Sequence, residues 1–160
     1  LSAHRIALTG RFILVLAAAV SLALILSSPA QALRTPAEGA ARQVLAYAFW
    51  DRDYLCLAAR VPDSALTGSS VAPMTAAEQD DAIEFDLQVI IAGEPVAHRL
   101  VISAAGGMTM FTRDRSGIWR SDNAWVRGPR TIKYAVSLTG TLNDPKDIDT
   151  DFVVECAIPW

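Results

Sequence analysis

From residue 44 to the end of the chain, apolar and polar residues alternate in short runs separated by turn-forming residues. The clearest run is Ala82 to Ile91. Ile83, Phe85, Leu87, Val89 and Ile91 share one face, and Glu84, Asp86 and Gln88 share the other. Further strands are expected at Val44 to Trp50, Tyr54 to Val61, Val96 to Ser103, Met108 to Arg113 and Thr131 to Leu138. A closing strand starts at Phe152 and ends at Pro159, which cannot donate to a ladder. Turns are expected at Asp51-Arg52-Asp53, Pro62-Asp63, Gly93-Glu94-Pro95 and Gly106-Gly107, with a turn-rich loop over 140–151. Residues 64–80 read as a long loop with a helical turn near Thr75 to Gln79, and 114–129 as irregular. About seven short strands without a sustained helical period predict an all-β fold, an antiparallel β-sandwich of jelly-roll-like form.

The first 32 residues follow a different rule. His4, Arg5 and Arg11 precede an apolar run, Phe12 to Leu26, broken at Ser21, and Ala30-Gln31-Ala32 follows the breaker Pro29. A basic start, a short apolar core and an A-x-A site predict a secretory signal peptide over residues 1–32. The run is shorter than the roughly 20 residues that span a bilayer, so cleavage rather than anchoring is expected, with release to the periplasm or the exterior. Residues 33–43 read as a linker, and 44–160 as one domain.

Removing Arg5 and Arg11 leaves 12 of the 14 basic residues against 17 acidic ones, a net charge of about −5. That balance does not attract nucleic acid. Cys56 and Cys156 both fall inside expected strands. An oxidising compartment permits a disulfide between them, and two small buried thiols are the alternative. With His98 as the one imidazole beyond the leader, zinc-ligand spacing is missing.

No G-x-S-x-G, Walker loop or H-E-x-x-H is present, so the sequence offers no catalytic constellation. Asp80, Asp81, Glu84 and Asp86 concentrate carboxylates on one strand and its approach. Trp119 and Trp125 sit in polar, loop-like surroundings, where an aromatic ring can stack on a sugar. Trp50 and Trp160 adjoin strands and are expected to pack.

Three segments together, "FWDRDYLCLAARVPD" (49–63), "DDAIEF" (80–85) and "GTLNDPKDIDTDFVVECAIPW" (140–160), resemble the family 9 carbohydrate-binding modules of the DOMON-like superfamily. The resemblance covers roughly residues 44–160. Tyr54-Leu55 stands where the family has the reverse order, Glu78 where it commonly has Trp, and Asp151-Phe152 where it has Gly-Trp. The family's early Asp-Gly strand is missing between Ala32 and Val44. Its strands after I-P-W are missing too, so a sandwich incomplete at its C-terminal end, with an open edge, is expected.

The resemblance implies a non-catalytic module that binds oligosaccharide or polysaccharide, such as accompanies a glycoside hydrolase in polysaccharide catabolism. Glu84 falls on the family's sugar-contacting position, and Asp80 or Asp81 on an acidic lead-in that in some members adjoins a structural calcium. Arg99, on the return strand, would donate to sugar oxygens, and Trp119 or Trp125 would supply the stacking platform. A haem-binding, electron-transferring DOMON-like domain is the alternative, with axial ligands from Met108, Met110 or His98. A structural accessory sandwich without a small ligand is the third. Secreted material is expected to begin at Leu33; an intact mass that retains Phe12 to Leu26 would contradict the leader.

Overall fold

The computed structural model describes residues 43–128 and 130–159, and the backbone of Leu8–Thr9 (β1), Arg11–Leu16 (β2) and Gln31–Arg34 (β3). The leader, its cleavage site and the linker otherwise lie outside the described residues, as does Trp160. Eight further strands follow: β4 (Leu45–Trp50), β5 (Tyr54–Pro62), β6 (Ala82–Ile91), β7 (Glu94–Ser103), β8 (Met108–Arg113), β9 (Trp119–Ser121), β10 (Lys133–Thr139) and β11 (Asp151–Pro159). They form two sheets, in the orders β1-β2-β6-β7-β8-β9 and β10-β11-β5-β4-β3. Every pairing is antiparallel except β2 with β6.

The expected sandwich is therefore present, and period-two alternation builds it. Ile83, Phe85 and Leu87 of β6, Leu100 and Ile102 of β7, and Met108 and Met110 of β8 face inward. They meet Leu55, Leu57 and Val61 of β5 and Phe152, Val154, Cys156 and Ile158 of β11 in one core. Two local expectations change. The β6–β7 turn is Ala92-Gly93, at φ 51° and 87°, with Ile91 opposite Glu94. Positive φ at both central positions marks a type I′ two-residue hairpin, and Pro95 is left inside the strand. Trp50, expected to pack, is 56% exposed at the end of β4.

Residues 64–76 have little regular structure, yet six consecutive N–H groups within them reach side-chain acceptors. Ala65 donates to Asp63 (3.0 Å), Leu66 to Asp149 (2.5 Å), Thr67 to Asp81 (2.7 Å) and Gly68 to Asn143 (3.1 Å). Ser69 and Ser70 both donate to Asp80, at 3.0 and 2.8 Å. Asn143 returns its amide to the Gly68 carbonyl (2.7 Å) and its own N–H to that of Leu66 (2.8 Å). Asp149, 4% exposed, also accepts from the Thr141 N–H at 2.7 Å. Gly140, at φ 142°, lies so close that a Cβ there would overlap the Asp149 carboxylate. The G-T-L-N stretch is thus one jaw of a clasp, and Asp80-Asp81 is another.

Replacing Asp149 with Ala strands two N–H groups and is expected to cost about 3 kcal/mol, the scale of charge-assisted bonds to buried partners. Chemical denaturation measures it, and wild-type stability in the variant would refute the clasp. Burial pushes the Asp80 carboxyl up, but the Ser70 and Ser69 N–H groups outweigh it and hold the pKa below 3.8. A depressed folded pKa gives stability that is present above 3.8 and lost as pH falls below it. Asp80→Asn is expected to flatten that acid limb.

Candidate functional site

The hairpin register decides what stands on the outer face of the larger sheet. Asp86 pairs with Arg99 across β6–β7, Arg99 with Phe111 across β7–β8, and Phe111 with Ser121 across β8–β9. One step along, Glu84 stands opposite Val101. On the far flank, the backbone of Ile13 in β2 is in register with Glu84. The short 3₁₀ turn Ala77–Gln79 crosses the other end of the face, where Ala77, Ala82 and Val101 form a small apolar cluster with Phe111 against it.

Arg99 organises this face. Its Nε and Nη2 donate to the two Asp86 oxygens at 2.7 and 2.9 Å, a bidentate clamp, and its guanidinium lies 4.8 Å from the Trp119 ring centre. Its Nη1 remains 3.8 Å from Glu84 Oε2, beyond hydrogen-bond length. Asp86 foremost, and Glu84 more weakly, raise the Arg99 pKa against the effect of burial. Glu84 is 5% exposed, and its partner among the described residues is Arg99, through that 3.8 Å ion pair. Arg113 lies 6.0 Å from the Trp119 ring and donates through Nε to the Gly117 carbonyl.

The structure thus brings Glu84, Arg99 and Trp119 together and leaves Trp125 elsewhere. Trp125 lies in a short helix, α1 (Ala124–Arg127), and packs against the core, edge-on to His98 with ring centres 5.6 Å apart. Arg99 also occupies part of the Trp119 ring that was expected to serve as an open platform. Phe111 and Arg113 are members of the face that the strand pattern did not single out, while Asp86 was placed there by the pattern but without its partner Arg99.

Asp80 and Asp81 accept from the N–H groups of Thr67, Ser69 and Ser70 and from the Thr67 and Ser69 hydroxyls. Among the described residues, no group of three or more His, Cys, Asp or Glu is arranged to hold a metal ion. Cys56 pairs with Ala157 and Cys156 with Leu57, so the two thiols project from opposite faces of one sheet. The disulfide expected between them is not made, and both are free. Burial raises the Cys156 thiol to about 12. Met108 and Met110 are each 1% exposed within the core, and His98 is 5% exposed and edge-on to Trp125.

No protein family profile and no curated protein matches this chain. Among solved structures, the fold is similar to that of a "putative carbohydrate-binding protein" from Bacteroides uniformis ATCC 8492. The TM-score is 0.62 and the identity 14%, over 82% of this chain and 60% of the other. The likeness is one of fold, and this chain spans about 60% of the length of that protein.

His98 has a fixed tautomer. Thr112 gives its hydroxyl proton to Asp122 (2.7 Å), so its oxygen accepts from His98 Nδ1–H at 2.9 Å. Nε2 is left bare and without a partner. Burial depresses the His98 pKa, with Asp122 opposing. The unfolded chain therefore takes up a proton that the folded chain refuses, and stability is expected to fall as pH drops below 6.5. Nitrogen-15 NMR should show Nδ1 protonated at neutral pH; a protonated Nε2 in its place would overturn the assignment.

Proposed function

We propose that this protein is a non-catalytic carbohydrate-binding module that holds its ligand on the outer face of the larger sheet. The observation that carries the reading is the grouping of Glu84, Arg99 and Trp119 on that face, with the Arg99 Nη1 3.8 Å from Glu84 and its guanidinium 4.8 Å from the Trp119 ring centre. A carboxylate held only in a long ion pair keeps acceptor capacity for the hydroxyl donors of a sugar. Trp119 and Phe111 supply apolar surface beside it, as the faces of a sugar ring require. Asp86 and Trp119 hold Arg99 rigid, so its remaining Nη1 donor is preorganised towards a hydroxyl or ring oxygen.

The fold likeness to a protein described as carbohydrate-binding supports the same reading. The three motifs add the finer one: a family 9-like module, secreted through its leader to serve beside a glycoside hydrolase. Trp125 and the Asp80-Asp81 pair are left out of the ligand site.

Calorimetry against xylan, cellulose and chitin oligosaccharides, on wild type and Glu84→Ala, tests the proposal. The variant is expected to lose about 1.5 to 3 kcal/mol of binding, the worth of charge-assisted hydrogen bonds. Unchanged binding in the variant removes Glu84 from the site. Silence of the folded wild type towards every glycan ends the carbohydrate reading.

A further inference from the structure

The two sheets differ on their outer faces. The larger one turns Glu84, Asp86 and Arg99 outward. An antiparallel sheet with one face in water ordinarily alternates apolar-in with polar-out. The smaller sheet departs from that rule across β4, β5 and β11. Its register sets Tyr47 beside Ala58, and Phe49, Cys56 and Ala157 in one row, with Tyr54 two residues before Cys56. These side chains stand outside, since their strand neighbours Ala46, Leu55, Leu57 and Ile158 belong to the core. Tyr47 and Phe49 are 37% and 47% exposed.

Two charges of opposite sign flank this apolar patch. Lys133 of β10 extends the row of Ala157, and Glu155 lies two residues along β11. Neither has an ion pair among the described residues, and Lys133 donates to the Tyr54 hydroxyl at 3.1 Å. Lys133 to Glu155 is one strand across and two residues along, and Tyr54 to Phe49 is the same step. Strands about 4.8 Å apart and a two-residue rise of about 6.8 Å make the line joining the two midpoints perpendicular to that step. One twofold axis in the plane of the face therefore exchanges Lys133 with Glu155 and also Tyr54 with Phe49, and Cys56 falls almost on it. Strands of two copies so related cross at roughly 70°, near the orthogonal class of sheet packing.

We infer that the outer face of the smaller sheet docks a second copy of this chain about that twofold axis. Each Lys133 meets the other copy's Glu155, each Tyr54 meets the other's Phe49, and the two Cys56 residues meet at the centre. The exposed turn Asp51-Arg52-Asp53 falls at the rim, where water still reaches its charges. Four strands of about seven residues offer roughly 450 Å² of flat contact per copy. That lies at the low end of specific interfaces, so a reversible dimer with a Kd on the order of micromolar is expected. The two larger sheets then face outward on opposite sides, and the inference holds whatever they bind.

Sedimentation equilibrium of the purified protein over micromolar to millimolar concentrations tests the inference, with the thermal midpoint confirming that each variant is folded. The wild type is expected to pass from monomer to dimer. Lys133→Glu and Glu155→Lys each set like charges together twice across the axis, and each should weaken the dimer about tenfold. The double variant carries the same two charges exchanged and should return to the wild-type constant. Cys56→Arg sets two guanidinium groups against each other at the centre and should leave a monomer. A wild type that stays monomeric over the whole range would overturn the inference. A dimer indifferent to Cys56→Arg and to both reversals uses another surface and would overturn it as well. Single reversals that weaken the dimer without rescue in the double variant would overturn the Lys133–Glu155 exchange and with it the axis.

Discussion

The position of the outer face of the larger sheet depends on a clasp between side-chain acceptors and the peptide N–H groups of residues 65–70. Asp80 and Asp81 stand directly before β6, and Asp149 stands two residues before β11. One irregular segment thus bonds to the entry of a strand in each sheet and joins the two at that end of the sandwich. The Asp81 N–H donates to the Thr67 carbonyl at 3.1 Å, and its carbonyl accepts from the Ala104 N–H at 2.7 Å. These bonds fix where β6 begins. Since side chains alternate along a strand, the starting point decides that Glu84 and Asp86 face outward and Ile83 and Phe85 inward.

From that register the electrostatics follow. Two outward carboxylates lie two positions apart, and the hairpin sets one arginine directly across from the second of them. Cross-strand neighbours meet most easily, so Asp86 takes the bidentate contact and Glu84 receives a long one. Trp119 arrives from β9, three strands away from β6 in the sheet, and pins the guanidinium from above. Most exposed ion pairs are loose and weak. This one is partly buried and stacked, and it leaves the Arg99–Glu84 pair the longer of the two.

Much of this was legible in the sequence because alternation is a local signal. The limits of β6 and β8 came directly from it, as did the shared face of Glu84 and Asp86. What the pattern does not carry is the offset between strands. Reading the β6–β7 turn at Gly93-Glu94-Pro95 rather than Ala92-Gly93 shifts the return strand, and the Asp86–Arg99 pairing disappears from view. The two cysteines fail in the same way: each lies in a real strand, but the register of β5 against β11 puts them on opposite faces. Trp119 and Trp125 lie six residues apart in similar polar company, and their sequence surroundings do not distinguish a sheet face from a core margin. The G-T-L-N stretch was visible as a motif, while its work as a clasp needed the distant partners Leu66 and Gly68 to be seen.

Surface loops ordinarily accommodate an extra residue at little cost, because their backbone groups turn to water. The 65–70 segment is a loop with a register of its own. One inserted residue would move every donor past its acceptor, as a slipped strand does, and would leave Asp80, Asp81, Asn143 and Asp149 facing the wrong peptides. Among homologues, this stretch should therefore hold its length as strictly as a strand does, and variation in loop length should collect in stretches without such acceptors.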